Sequence, residues 1–362
     1  MKARYSFASL VLGTSLLASS ALAVPATLRI EIDWLAVPGH SHRPTQCELD
    51  AVRASFLAQG IDLQIELSDE IVEDASNQVI SFNASGNFDG GLSPAWEAIE
   101  TAYRDHPAGT GWHYCVFGHN YRLGATFTTS SGLAEISGDE SVVTLGSFSG
   151  GIGTPFDRSG TLMHEFGHNL SLRHAGNQNE SLVRQYKPNF PSVMAYRFQL
   201  WGVKNGLVCQ NLANPVSVAS FRDLDYSHGT LASRDENALE ECAGIGLGTG
   251  VDWNCAGGIS GCGVFVAKDV SSQGGGVYGE DWCLAAGTRQ VITDYDDWTN
   301  VTDFAAHAPI GLPESQSCIT FEEAEQMGYG SVINACAQPD PCAGTTQIRV
   351  RSSWGDLKTL YR

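Results

Sequence analysis

Leu28, Ile30, Ile32 and Trp34 alternate with Arg29, Glu31 and Asp33. A period of two predicts a strand with one face buried. Thr45 and Glu48 have the spacing of a capping box ahead of Leu49, Val52 and Phe56, which fall on one helical face, and Gly60 ends that helix. Ile61, Leu63, Ile65 and Leu67 alternate again, a second strand. Ser93-Pro94 opens a second helix carrying Trp96, Ile99 and Tyr103. Trp112 to Phe117 and Ser141 to Leu145 read as further strands, and Ser159 as the cap of a helix running to Leu170. Strand–helix–strand followed by more strands predicts an α/β fold, a sheet layer with crossover helices.

Past about residue 235 the texture changes. Glycine and cysteine rise and periodic helices thin out. The chain therefore divides, as an expectation, into residues 1–23, 24–235 and 236–362. The first segment has Lys2 and Arg4, an apolar run from Phe7 to Leu17, and small residues ending at Ala21-Leu22-Ala23. That order predicts a secretory signal cleaved after Ala23, placing the mature chain outside the cell or in a periplasm. The apolar run is short for a membrane span. Ten cysteines, eight of them after residue 200, fit an exported chain with disulfides. No CxxC pair suggests a metal site among them, and Cys255–Cys262 and Cys336–Cys342 are candidates for small closed loops. The mature chain carries 19 basic and 40 acidic residues, a net charge of −21. Such a surface repels nucleic acid and anionic lipid. Oligomeric state is left open by the sequence.

The chemistry is concentrated in His164-Glu165-Phe166-Gly167-His168-Asn169-Leu170-Ser171-Leu172-Arg173-His174. Two histidines four apart lie one turn above the other on a helix, so both imidazoles reach one ion at about 2.0–2.1 Å. His174 has to come from beyond the helix end, since six further residues of helix turn through about 600° and would point it away. Three neutral imidazoles leave a fourth position open, the mark of a catalytic zinc. Glu165 sits beside His164 but points about 100° round the helix. It is therefore placed as a base for the attacking water rather than as a ligand.

This pattern resembles the metzincin zinc endopeptidases, whose signature is HExxHxxGxxH followed by a methionine turn. Ser192-Val193-Met194-Ala195-Tyr196 is similar to that turn. Glu31-Ile32-Asp33-Trp34 with His40 and His42, and Asp225-Tyr226-Ser227-His228-Gly229-Thr230, resemble segments of uncharacterised secreted bacterial members. The resemblance implies a twisted mixed sheet with an active-site helix, followed here by a Gly/Cys-rich, disulfide-tied C-terminal region. It also implies one zinc on His164, His168 and His174, Glu165 as catalytic base, Met194 as the floor of the site, and Tyr196 as oxyanion helper. The substrates would be proteins or peptides. The chain departs from the signature at Ser171, where the family has glycine. Glycine there leaves the helix through a left-handed conformation that costs other residues about 1 kcal/mol or more. The departure bears on the third ligand alone.

Weaker signals remain. Asp252-Trp253-Asn254-Cys255-Ala256-Gly257 resembles the start of a calcium loop, but Ala256 and Gly263 stand where acidic ligands belong, so calcium is not expected. Asp294, Asp296 and Asp297 read as a solvated acidic loop. His40, His42, His113, His119, His228 and His307 lack ligand spacing and read as surface or structural. With no inhibitory segment recognised before the first strand, an enzyme active on export is the simple expectation, with Cys47 in a disulfide. The rival readings are a non-catalytic zinc-binding or adhesion module, and a zinc hydrolase of non-peptide amides or esters.

Overall fold

The computed structural model describes residues 27–88, 91–179, 185–200, 202–203, 224–245, 250–254, 256, 258–259, 261–271, 287–303 and 314–326. The signal segment and Cys336–Cys342 lie outside these residues.

The chain begins β1 (Thr27–Val37), β2 (His40–Ser41), α1 (Gln46–Ala58), β3 (Asp62–Val72), β4 (Val79–Phe82), α2 (Pro94–Tyr103) and β5 (His113–Gly118). It continues β6 (Asn120–Leu123), β7 (Thr126–Thr128), β8 (Gly132–Ile136), β9 (Glu140–Thr144), α3 (Pro155–Asn169) and α4 (Tyr196–Gln199). Short strands β10 (Arg234–Asp235), β11 (Leu239–Glu240), β12 (Phe265–Val266) and β13 (Val291–Ile292) precede β14 (Glu314–Ser317) and α5 (Phe321–Gln326). The main sheet runs β3-β1-β5-β9-β8-β14, with β2 folded back on β1. The first four strands are parallel, and β8 pairs antiparallel with both β9 and β14. The order of elements predicts the α/β sheet layer, and its mixed character is what the resemblance implies.

Local signals explain the outer helices. The Thr45–Glu48 capping box is formed, and Leu49, Val52 and Phe56 are the buried stripe of α1. In α2, Pro94 sits in the first turn and Trp96 and Ile99 are buried. Helix α3 starts earlier than Ser159: Thr154 is the cap, Pro155 follows, and Asp157 closes a second capping box. Ser159 instead bonds back to the carbonyls of Pro155 and Phe156 within the helix.

Buried residues from beyond 235 join the same core as the sheet. Leu239, Ile245, Trp253, Ile292, Trp298 and Ile319 share one cluster with Ile30, Phe56, Phe166 and Met194. Cys262 pairs with Cys242 rather than Cys255. The hydrogen bonds of β11 to β12 explain the choice, since they hold the segments carrying the two cysteines together. Cys47 is disulfide-bonded, as expected.

The face of β1 opposite Leu28, Ile30 and Ile32 carries the buried carboxylates Glu31 and Asp33. Asp33 accepts hydrogen bonds from the Asp69 N–H (2.7 Å) and the Tyr114 hydroxyl (2.7 Å). Burial nevertheless pushes its pKa up to about 6. The folded state therefore holds the proton more tightly than an unfolded carboxyl of about 3.9. The stability this contributes is present below the unfolded pKa and is lost as pH rises through about 6. Urea unfolding of the native chain and of Asp33→Asn should diverge between about pH 4 and pH 6, the native chain losing stability relative to the variant. Curves that stay parallel across that range would contradict this assignment.

Candidate metal and catalytic centre

Helix α3 lies against β8 and β9. His164 and His168 stand one above the other and are fully buried. His164 Nδ1 donates to the Val193 carbonyl at 2.7 Å, and His168 Nδ1 donates to that of Leu172 at 3.0 Å. Each bond fixes the tautomer that leaves Nε2 with its lone pair free for a metal.

The third histidine arrives by the turn that the sequence left open. Ser171 takes a left-handed backbone, φ 77°. Leu172 N–H bonds back to the Gly167 carbonyl at 2.8 Å and Ser171 N–H to that of His168 at 2.9 Å. This is a Schellman-type helix end with serine where glycine is usual. The strain is shared: Ser137, in the β8–β9 turn, is also left-handed at φ 60°. The two hydroxyls bond at 2.9 Å, and Ser137 N–H caps the His168 carbonyl at 3.0 Å. Asn169 ties the same helix end to the carbonyls of Glu135 and Glu140.

His174 is thereby brought back. The three Nε2 atoms are 3.2, 2.9 and 3.1 Å apart. A tetrahedral ion with bonds of about 2.0–2.1 Å sets its donors about 3.3–3.4 Å apart. The triangle is close to that size, so the donor set fits zinc. Burial, with His168 and His174 beside it, holds the His164 pKa well below the usual range, which keeps it the neutral imidazole a ligand must be.

Glu165 is fully buried, and the Cys318 thiol faces its carboxylate. Burial pushes its pKa well up, and the Cys318 side chain facing it opposes the rise. A Cβ on Gly132 would overlap its Oε1, so glycine in β8 provides the room for this carboxylate.

The methionine segment packs beneath α3. A Cβ on Gly167 would overlap Met194 Sδ and meet the Tyr226 hydroxyl at 3.0 Å. The glycine in the middle of the HExxH run is therefore what lets Met194 approach. Ser192 Oγ donates to Asp297 Oδ2 at 2.6 Å and accepts from Met194 N–H at 3.1 Å. Asp297 thus corrects the expectation of a solvated acidic loop: it is fully buried, and burial raises its pKa to about 8 against the Ser192 and Ser227 bonds. Asp294 accepts from Ser227 Oγ and the Leu231 N–H. Tyr196 is nearly buried, its ring 4.5 Å from that of His174 and 6.1 Å from that of His164.

Cys318 is the residue the sequence did not bring to the site. Strand β14 pairs antiparallel with β8, Ser317 opposite Leu133, and Cys318 N–H bonds to the Gly132 carbonyl at 3.2 Å. Its thiol sulfur and the ligand nitrogens of His164, His168 and His174 all lie within 4.8 Å of one another. The fourth position expected to be open is faced by a buried thiol of the same chain. No periodic pattern marks this residue, because it comes to the site through strand pairing.

Elsewhere, the Asp252 carboxylate accepts from the N–H groups of Ala256 and Gly258 within its own loop. No helix among the described residues is long and apolar enough to cross a membrane.

No family model and no curated protein matches the sequence. Several solved structures are similar to parts of it. Metalloproteinase-II from Bacteroides fragilis matches at 16% identity over 42% of this chain and 44% of its own, with a TM-score of 0.27. The chain thus spans under half the length of that protein. Archaemetzincin from Archaeoglobus fulgidus matches at 16% identity over 41% of this chain and 82% of its own, TM-score 0.25. A zinc-dependent peptidase from Methanocorpusculum labreanum matches at 11% identity over 46% and 86%, TM-score 0.27. At these scores the likeness carries no weight for function, which rests on the residues themselves.

The packing of Met194 under α3 is open to direct test. Gly167→Ala should destabilise the fold by about 1–3 kcal/mol in urea unfolding, the usual cost of overpacking, and weaken zinc retention. An unchanged midpoint would mean that Met194 and Tyr226 yield freely.

Proposed function

We propose that this protein is a secreted zinc-dependent endopeptidase, with His164, His168 and His174 holding the ion and Glu165 acting on the attacking water. One observation carries the reading: three imidazole nitrogens converge at tetrahedral spacing beside a fully buried carboxylate. A structural ion has no use for such a carboxylate, and burying one is costly.

When bound, zinc supplies Lewis-acid charge that polarises a carbonyl and lowers the pKa of water. Glu165, with its pKa raised by burial, takes the proton of the water that attacks the peptide carbonyl and delivers it to the departing amine. Tyr196, beside the His174 ring, supplies a hydroxyl toward the charge developing on the carbonyl oxygen. Met194 gives the histidines a fixed floor. The edge of β8 is the place for an extended substrate backbone, because β14 already pairs there in the antiparallel sense. In the described conformation Glu314–Cys318 therefore covers the site, and the segment has to leave before a peptide enters. On this reading the protease is held closed by its own chain in this conformation.

Cys318 also favours a second reading. Three histidines and a thiolate make a closed four-donor set, as in structural zinc sites. The protein would then be a non-catalytic zinc-binding module.

Casein or mixed-peptide hydrolysis separates the two when zinc content is measured in parallel. Glu165→Gln should keep its zinc and lose activity by about 10²–10⁴-fold, the usual share of general acid–base catalysis. Cys318→Ala should keep zinc and hydrolyse faster than the native chain. If Cys318→Ala sheds zinc and no form of the protein cleaves, the closed structural site is the correct reading.

A further inference from the structure

A second group of metal-binding side chains shares no residue with the first. His40 lies in β2 and His42 just after it, Glu73 follows β3 by one residue, and His119 stands between β5 and β6. Strands β3, β1 and β5 are parallel neighbours, so their C-terminal ends lie side by side. The backbone fixes the approach. His42 N–H bonds to the Leu35 carbonyl at 3.0 Å and Glu73 N–H to that of Ala36 at 2.9 Å, while the His119 carbonyl accepts from Gly146 N–H at 2.7 Å.

The four side chains converge on one point. His42 Nε2 is 3.1 Å from His40 Nε2, 3.3 Å from His119 Nδ1 and 3.4 Å from Glu73 Oε2. His119 Nδ1 is 3.7 Å from Glu73 Oε1. All four ligand atoms lie within 4.8 Å of one another. These separations bracket the edge of about 3.3–3.4 Å that a tetrahedral ion with 2.0–2.1 Å bonds requires.

Hydrogen bonding does not account for the geometry. A ring nitrogen has one proton or one lone pair, so His42 Nε2 serves one neighbour at a time, yet three polar atoms crowd it. His42 and Glu73 are 3% and 7% exposed, so water does not relieve the crowding. Glu73 Oε2 has no partner of hydrogen-bonding geometry among the described residues. A cation at the centre satisfies all four at once.

We propose that His40, His42, Glu73 and His119 form a second metal site. Three imidazoles and one carboxylate are borderline donors that suit zinc rather than calcium or magnesium. With four protein ligands the set is closed, so the site is structural. It joins the ends of three neighbouring strands. It also borders the loop into α3, where a Cβ on Gly151 would come within 3.2 Å of His40. These histidines have no ligand spacing in the sequence because the cluster is gathered from the ends of separate strands rather than from one segment.

The test is metal stoichiometry, which does not depend on peptidase activity. The full chain is stripped with chelator and titrated with zinc alone, then with cobalt(II) as a spectroscopic stand-in. The native chain should take up two equivalents. The double variant His164→Gln/His168→Gln, whose second cluster is untouched, should still take up one, with the intense visible bands of tetrahedral cobalt and a zinc-dependent rise in Tm. His40→Gln/His119→Gln, altered at the two half-buried positions, should retain one equivalent and lose the second. If the His164→Gln/His168→Gln chain binds no ion, or the His40→Gln/His119→Gln chain still binds two, the site does not exist. Either outcome leaves the reading of the first centre to its own assay.

Discussion

The left-handed turn at Ser171 is the constraint on which the histidine cluster depends. Without it α3 would continue, and His174 would be carried round to the far side of the helix. Serine is a costly residue at φ 77°, and the structure offsets that cost with a second strained serine, Ser137, whose hydroxyl pairs with it and whose N–H caps the helix. Two unfavourable local conformations are thus held by one tertiary contact between the β8–β9 turn and the end of α3.

Close backbone approach organises the rest of the centre. Gly132 leaves room for the Glu165 carboxylate, and Gly167 for Met194. Below them a polar chain from Asp297 through Ser192 fixes the methionine segment, and the Val193 carbonyl in that segment orients His164. The tautomers of His164 and His168 are therefore set by backbone carbonyls, whose positions do not fluctuate with rotamers. The end of the chain's described part contributes as well: β14 extends the sheet past β8 and delivers Cys318 to the same cavity.

The legible part of the fold was local. The alternation over β1 and β3, the Thr45 box of α1 and the Pro94 start of α2 all reside in windows of a few residues. The start of α3 was misplaced because Thr154-Pro155 follows a glycine-rich loop and Ser159 is an equally good cap by composition. Asp297 read as solvent-facing because acidic residues in a loop usually are. Its burial is decided by Ser192, 105 positions away.

By itself the sequence determined the α/β order and the placing of His164, Glu165 and His168, because i+2 and i+4 spacings convert directly into faces of strands and helices. It left the position of His174 open, since a single residue's φ decides where that side chain goes. Only the tertiary structure brought Cys318 to the histidines and gathered His40, His42, Glu73 and His119. Those meetings are made by strand pairing between segments far apart in the chain, and strand pairing leaves no period in the sequence.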